Sequence, residues 1–390
     1  MKRFVTLIRR EWRHFTSNQV AMLIFLGAPI AYALLIGLVY KNATLHDLPV
    51  IVVDLDDTPL SQKITDAIDD NQYVKVVKVQ HHCNSLRHQM IIDGIVAAIT
   101  IPDRFEADVN QKRHPEVNIE INGSNMVTAN YASTGLQTTL ATLNAGIEIE
   151  ALKKSGAPAA IASERFESFG ISMTRYFNPS SNYLVFLWPG MLGTIMQQVF
   201  LIVLALSFAK EYEDNTFRDL VRYARRPIYL LFYKAFPYFV MGLAIWFPMI
   251  KTFFYLFNVE MPIHEGAFYL ISALFMLSVT FMGIAVSIIM KNQLKATEIL
   301  MVIATPSFII SGQTWPLEAM PTAVQWLSKS IPLTHYLQAF RNMMMYNASL
   351  DELMPQIKML SILTVVFFVI ALVALRFKIE RFKRLDMLIP

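Results

Sequence analysis

VAMLIFLGAPIAYALLIGLV (Val20–Val39) holds no charged residue, and neither does YLVFLWPGMLGTIMQQVFLIVLALSFA (Tyr183–Ala209). A helix rises about 1.5 Å per residue, so roughly 17–25 apolar residues cross the hydrocarbon core of a bilayer. Inside lipid every backbone N–H and C=O must be paired internally, so such runs read as helices, not loops. Four more runs follow: Ala235–Ile250, Ala267–Met290, Ile299–Leu317 and Met359–Leu375. Ala235–Ile250 is the shortest; it lies between Lys234 and Lys251 and continues apolar to Val259. The spacing is uneven. One run stands alone, a long and mostly polar segment follows, and then five come close together. The expected fold class is an α-helical polytopic membrane protein with six transmembrane helices, one before a large insertion and five after it.

Composition agrees. The chain is 54% hydrophobic and 16% charged, against about 25% charged in a typical soluble domain. Its basic residues fall in four groups. Lys2, Arg3, Arg9, Arg10 and Arg13 precede the first run; Lys210, Arg218, Arg222, Arg225 and Arg226 separate the second from the third. Lys291 and Lys295 lie between the fourth and fifth, and Arg376, Lys378, Arg381, Lys383 and Arg384 follow the sixth. Basic residues near span ends stay cytoplasmic. Six spans put all four groups on one side, so both termini are expected in the cytoplasm. These clusters are short and mixed with acids. They read as topology signals attracted to anionic membrane lipid, not as a nucleic-acid footprint. The first run exceeds the roughly 7–15-residue apolar core of a cleaved leader, and no small-residue cleavage site follows Val39, so it reads as a retained anchor.

The expected organisation is an amphipathic N-terminal helix over 1–19, a first transmembrane helix over 20–40, and an extracytoplasmic segment over 41–178. Helices two to six then fill 179–375, and 376–390 forms a cytoplasmic tail. Within the exterior segment Pro49–Asp54 reads as a buried strand, and Thr58-Pro59 as an N-cap followed by proline at the first helical position. Tyr73–Val79, Ile95–Ile101 and Val117–Ile121 read as strands; Ser85–Asp93, ended by Gly94, and Asp103–Asn110 read as helices. The order β-α-β-α-β-α-β indicates a small α/β domain. A helix from about Ser124 to Lys154, a break at Ala157-Pro158 and a second helix over Ala159–Phe169 read as a stalk.

Two features there invite chemistry and are assigned to structure. Val53–Thr58 (VDLDDT) resembles the nucleophile loop of haloacid dehalogenase-type phosphatases, yet no later strand end supplies the further acidic pair that chemistry needs. An Asx-type turn opening a helix accounts for the same residues. Cys83, the single cysteine, has no partner for an intrachain disulfide. With His81, His82 and His88 it lacks a known zinc spacing, and these read as surface polar residues.

The chain has no G-x-x-x-x-G-K-[ST] phosphate loop and no recognisable nucleophile–His–Asp set. Its runs carry no ionisable residue except Lys234, placed near a cytoplasmic end. Ion-driven carriers put such residues at membrane depth, so the driving energy is expected from another chain. Gln197, Gln198, Thr305 and Ser307 are candidate residues of a translocation path. They serve equally as interhelical hydrogen-bonding glue, the reading preferred here.

KEYEDNTFRDLVRYARRPIYLLFYKAFPY (Lys210–Tyr238) and SGQTWPLEAMPTAVQWLSKSIPLTHYLQAFRNMMM (Ser311–Met345) carry a more specific likeness. Together they resemble the permease subunit of an ABC-2-type ATP-binding-cassette exporter, a likeness that covers essentially the whole chain. Asp54–Ser61 (DxDxxPxS), Ile101–Phe105 (IPxxF) and Asn122–Asn125 (NGSN) are similar to the branch with a large exterior domain. The resemblance implies a non-catalytic subunit of a bacterial inner membrane, with no cofactor of its own. Two permease subunits, identical or related, would pair, and each would contact a cytoplasmic ATPase that binds ATP and Mg²⁺. A membrane-fusion adaptor would be a further partner, and the cargo lipophilic, drug-like or lipid-like. A coupling helix over about 210–226 would meet the ATPase through the family pattern E-x-E-x-G-T-hydrophobic, carried by Glu211, Glu213, Thr216 and Phe217. Asn215 replaces the usual Gly and also tolerates the left-handed conformation. Leu220 and Val221 would face the ATPase groove, and the N-terminal segment with Trp12 and Phe15 would support the same interface. Gly312, Pro316, Met320, Pro321 and Trp326, with Pro332, Leu333 and Thr334, would form an exterior re-entrant hairpin over about 312–345 near the outer gate. An ATPase-coupled subunit for exterior sensing or mechanical signalling is the alternative to transport.

Overall fold

The computed structural model describes residues 2–42, 44–82, 86–111, 113, 115–154, 177–178, 181–223 and 226–386. The chain divides into two compact units: Met1–Ala43 with Tyr176–Pro390, and Thr44–Arg175. Helix α1 spans Lys2–Ser17 and α2 spans Gln19–Val39. The Asn18 side chain, accepting from the Ala21 N–H, caps the second.

The second unit follows. Strands β1 (Leu48–Asp54), β2 (Val74–Gln80), β3 (Ala97–Ile101) and β4 (Asn118–Ile121) form one sheet in the order β2-β1-β3-β4. The first two pairings are parallel and β4 is antiparallel; Val50 faces Ala97, and Ala98 faces Glu120. Helices α3 (Pro59–Asp69), α4 (Leu86–Ile92), α5 (Phe105–Asn110) and α6 (Met126–Lys154) complete the unit. Strand side chains alternate between faces. Val50 and Val52 enter a core with Ile64, Ile68, Ala132 and Leu136, while Ile51 and Val53 meet Ile95, Leu86 and Met90. Both faces are therefore covered, which explains why β1 reads as a continuous apolar run. Thr58 and Ser61 form the capping box that opens α3, with Pro59 at the first helical position. Regular pairing in the third strand begins at Ala97, two residues after the expected start; Val96 still donates to the Pro49 carbonyl. The expected break at Ala157-Pro158, the helix Ala159–Phe169, and Cys83 lie outside the described residues.

The remaining helices are α7 (Tyr183–Glu213), α8 (Phe217–Tyr223), α9 (Pro227–Leu256), α10 (Glu265–Ile289), α11 (Gln293–Ile310), α12 (Thr322–Lys329), α13 (Pro332–Tyr346) and α14 (Met354–Asp386). Among the described residues, α2, α7, α9, α10, α11 and α14 are the helices long and apolar enough to cross a membrane.

Several boundaries correct the sequence reading. Helix α9 starts at Pro227, well before Ala235, because Lys234 is paired inside the protein and does not end the helix. The fifth run, expected over Ile299–Leu317, is shifted. Its helix opens at Asn292, whose side chain accepts from the Lys295 N–H, and stops before Gly312, where φ is +85°. Lys210–Glu213, expected in a coupling helix, extend α7; the turn at Asn215, with φ +57°, separates them from α8.

Packing between the long helices uses small residues, as membrane helices do when backbones approach closely. A Cβ on Gly283 of α10 would stand 2.7 Å from Leu204 Cβ of α7. Nearby, the Ser287 hydroxyl donates to the Ala205 carbonyl at 2.7 Å and accepts from the Phe208 and Ala209 N–H groups. Helices α7 and α10 are thereby joined by both packing and polar contacts.

Candidate functional site

Helix α1 buries Leu7, Glu11 and Phe15, an i, i+4, i+8 stripe that places an acid in the middle of an apolar face. That acid finds its partner on α9. Lys234 is 2% exposed, and its ammonium has three hydrogens to give. Nζ donates to Glu11 Oε2 at 2.9 Å, to Glu211 Oε1 at 2.7 Å and to the Ser207 carbonyl at 3.0 Å. Arg10 Nη2 donates to Glu211 Oε2 at 2.8 Å, and the Thr216 hydroxyl donates to the same oxygen. A buried charge is costly unless paired and hydrogen-bonded. Here two cations meet two carboxylates, and the cluster fastens α1, the end of α7 and the start of α9 to the turn before α8.

The residues proposed for ATPase contact divide accordingly. Glu211 is 4% exposed and committed to this cluster, so its carboxylate is not presented to a partner. Phe217, also buried, packs its ring 4.7 Å from Tyr212 and 5.8 Å from Phe382. Leu220, expected on the face toward an ATPase, is buried in the chain's own core, and Val221 packs partly against it. The apolar side of α8 is used internally; Arg218, Asp219 and Arg222 are exposed to either side of Leu220. Glu213 is exposed, and its carboxylate accepts from the backbone N–H of Gln293 at 2.9 Å and from the Gln293 amide. Thr216 donates its own N–H to the Glu211 carbonyl.

The expected hairpin is a turn at Gly312, a 3-10 turn over Leu317–Ala319, and helices α12 and α13. Arg341 of α13 holds it. Its Nη2 donates to the Gly312 carbonyl at 2.8 Å, the Gln313 carbonyl at 2.9 Å and Gln313 Oε1 at 2.8 Å. Gln313 Nε2 in turn donates to the Phe186 carbonyl on α7. Pro321 stands at the N-cap of α12 and Pro332 at the first turn of α13; the Met320 carbonyl accepts from Gln325. Leu333 and Thr334 are fully buried, Thr334 sharing a 3.0 Å hydrogen bond with Ser328, while Pro316 is exposed.

Gln197 and Ser307 are both buried, and Gln197 Nε2 donates to Ser307 Oγ at 3.2 Å, which joins α7 to α11. Thr305 is exposed and Gln198 half-buried, so the four polar span residues do not share one lining. In the α/β unit Asp54 is a turn residue. Oδ1 accepts from the N–H groups of Asp56 and Asp57, and Oδ2 from the Ser61 hydroxyl. The His81 ring lies 3.0 Å from the Asp54 carbonyl.

Sequence reasoning missed Glu11, Arg10, Gln313 and Arg341, and treated Lys234 as a mere boundary. Glu11 within an apolar helical stripe was the available signal; Arg341, a cation in an otherwise buried helix, was the other.

Six long apolar helices, a charge-balanced cluster fastening two of them to the N-terminal helix, and an inserted α/β unit define a multi-pass membrane protein of the permease type. Residues 20–373 match the model described as ABC-2 family transporter protein, and the chain belongs to that family. It is 30% identical over 186 residues to a probable multidrug ABC transporter permease, YbhS of Escherichia coli K12, spanning 46% of this chain and 48% of that one. It thus matches about half the length of that relative. Inner membrane transport permease YhhJ of the same organism is 22% identical over 353 residues, covering 87% and 89% of the two chains. ABC transporter G family member 20 of Dictyostelium discoideum is 25% identical over 205 residues, 53% of this chain and 28% of that one.

Proposed function

We propose that this permease is the membrane half of an ATP-driven exporter of the bacterial inner membrane. It pairs with a second permease subunit, identical or related, and with separate ATPase chains that hold ATP and Mg²⁺. The cargo is lipophilic, drug-like or lipid-like. The cluster of Lys234, Glu11, Glu211 and Arg10 carries the reading. It makes one rigid junction of α1, α7 and α9 beside the short helix α8, so a push on α8 reaches three helices together. The exposed face of α8, with Asp219 and Arg222, is the ATPase contact; Glu211, Thr216 and Phe217 act from behind it by fixing its angle. The α/β unit is extracytoplasmic, and the hairpin held by Arg341 lies near the outer gate. An adaptor docks on the exterior side.

Reversing charge in Asp219→Arg/Arg222→Glu tests the coupling claim. The ATPase is expected to co-purify at a level reduced at least tenfold while the permease itself stays folded. Undiminished co-purification with undiminished transport-linked ATP turnover refutes this contact.

A further inference from the structure

A cavity of about 420 Å³ opens beside the hairpin, lined by residues of four elements: Phe186 of α7, Gly312 to Glu318, Gln338, Arg341 and Asn342 of α13, and Gln356 of α14. Its size is that of a small-ligand site, roughly 300–1,000 Å³. Arg341 makes no ion pair with any described carboxylate; its hydrogen bonds go to two carbonyls and an amide oxygen, all neutral. The guanidinium packs 5.8 Å from the Phe186 ring. Glu318, exposed on the rim, sets a carboxylate acceptor at the same cavity as the Arg341 donor, so the lining suits a ligand that offers both an anion and a donor.

The depth of the cavity is given by α7. Phe186 and Glu211 lie 25 residues apart on that helix, about 37 Å at 1.5 Å per residue, against a hydrocarbon core of about 30 Å. With the ion cluster at one membrane face, this separation puts the cavity at the head-group level of the other. Trp315, 57% exposed beside it, is a residue suited to that level.

We propose that this cavity binds the head of an amphiphile that carries an anion together with a hydroxyl or ammonium donor, as a phosphoethanolamine or phosphoglycerol lipid does. The anion pairs with Arg341. The donor reaches the Glu318 carboxylate, and the acyl chain leaves along the apolar helices. A phosphate–guanidinium pair is among the stronger charge-assisted contacts. It would complete the charge balance at a cation that no described carboxylate compensates. The site requires no ATPase and stands whether or not the export reading holds.

The test uses the purified full-length chain in dodecyl maltoside, without ATPase, following thermal unfolding by tryptophan fluorescence. The probes are lysophosphatidylethanolamine, lysophosphatidylglycerol, dodecylphosphocholine, dodecyltrimethylammonium and chain-free phosphoethanolamine. The first two are expected to raise the midpoint by several degrees and saturably. Dodecylphosphocholine, which has the anion with no O–H or N–H donor, is expected to act at least tenfold more weakly, and the other two not at all. Arg341→Gln should abolish the shift and Arg341→Lys restore part of it. Because Arg341 also holds the hairpin, Thr314→Trp provides a second arm. It fills the cavity from an exposed position and is expected to weaken the response at least tenfold. Equal shifts from the two lysolipids and dodecylphosphocholine, a shift from the cationic detergent, an equal effect of chain-free phosphoethanolamine, or an unchanged response in Thr314→Trp overturns the proposal.

Discussion

Lys234 is the residue on which the ion cluster turns. Lys234→Met leaves Glu11 and Glu211 buried with one cation between them, and breaking a buried pair in this way costs about 3–5 kcal/mol. Unfolding of the purified chain in detergent should report that loss. Glu211→Gln keeps the shape but turns an amide NH2 toward a donor where both carboxylate oxygens accept, so it should lose a comparable amount. Local sequence marks Glu11 as an acid in an apolar stripe but does not name its partner, since Glu11 and Lys234 are 223 positions apart and meet only through the fold. Asn215 and Asp54 were legible because their roles are local. At Asn215 the turn requires positive φ. Asn215→Gly should therefore be nearly neutral, whereas Asn215→Val should lose about 1–2 kcal/mol of stability through the left-handed penalty. Asp54 serves the turn that its D-x-D-x-T setting indicates, with both carboxylate oxygens occupied.

At the scale of elements, apolar runs locate helices well and their ends poorly. A run measures where charge is absent, but a helix continues through a charge that is paired or snorkels and stops at a cap or a positive-φ turn. Helix α9 begins early for the first reason, and α11 ends early for the second. Close packing of α7 and α10 gives a direct check. Gly283→Ala puts a methyl against Leu204 Cβ, an atom that cannot swing aside, and overpacking of this kind costs about 1–3 kcal/mol. A second check concerns the edge strand β2. The Asp69 carboxylate accepts from Lys75 Nζ and from the Val76 N–H, and those bonds hold it below the usual carboxylate range. A depressed carboxylate stabilises the fold above its unfolded-state pKa and loses that contribution as pH falls through its folded-state value. Protection of the Val76 amide, corrected for intrinsic exchange, should thus fall on acidification in the native chain and vary less in Asp69→Asn.

For the whole molecule, six spans and an α/β insertion were legible because lipid forces hydropathy and sheet burial forces alternation. The assignment of sides rests on the distribution of lysine and arginine. In a Cys83→Ser background, Glu318→Cys and Asp93→Cys should react with a membrane-impermeant maleimide from outside. Lys291→Cys should react only after permeabilisation; labelling of all three from one side would refute the six-span arrangement. The cluster of Glu11, Glu211, Lys234 and Arg10 has a bearing on energetics at this scale. Moving one elementary charge through a membrane potential involves about 2.3 kcal/mol per 100 mV. Two formal cations and two carboxylates fastened together sum to zero. Displacing these four charges together therefore involves almost no electrical work. Lys234→Met would leave the same group with a net negative charge, whose displacement would depend on voltage.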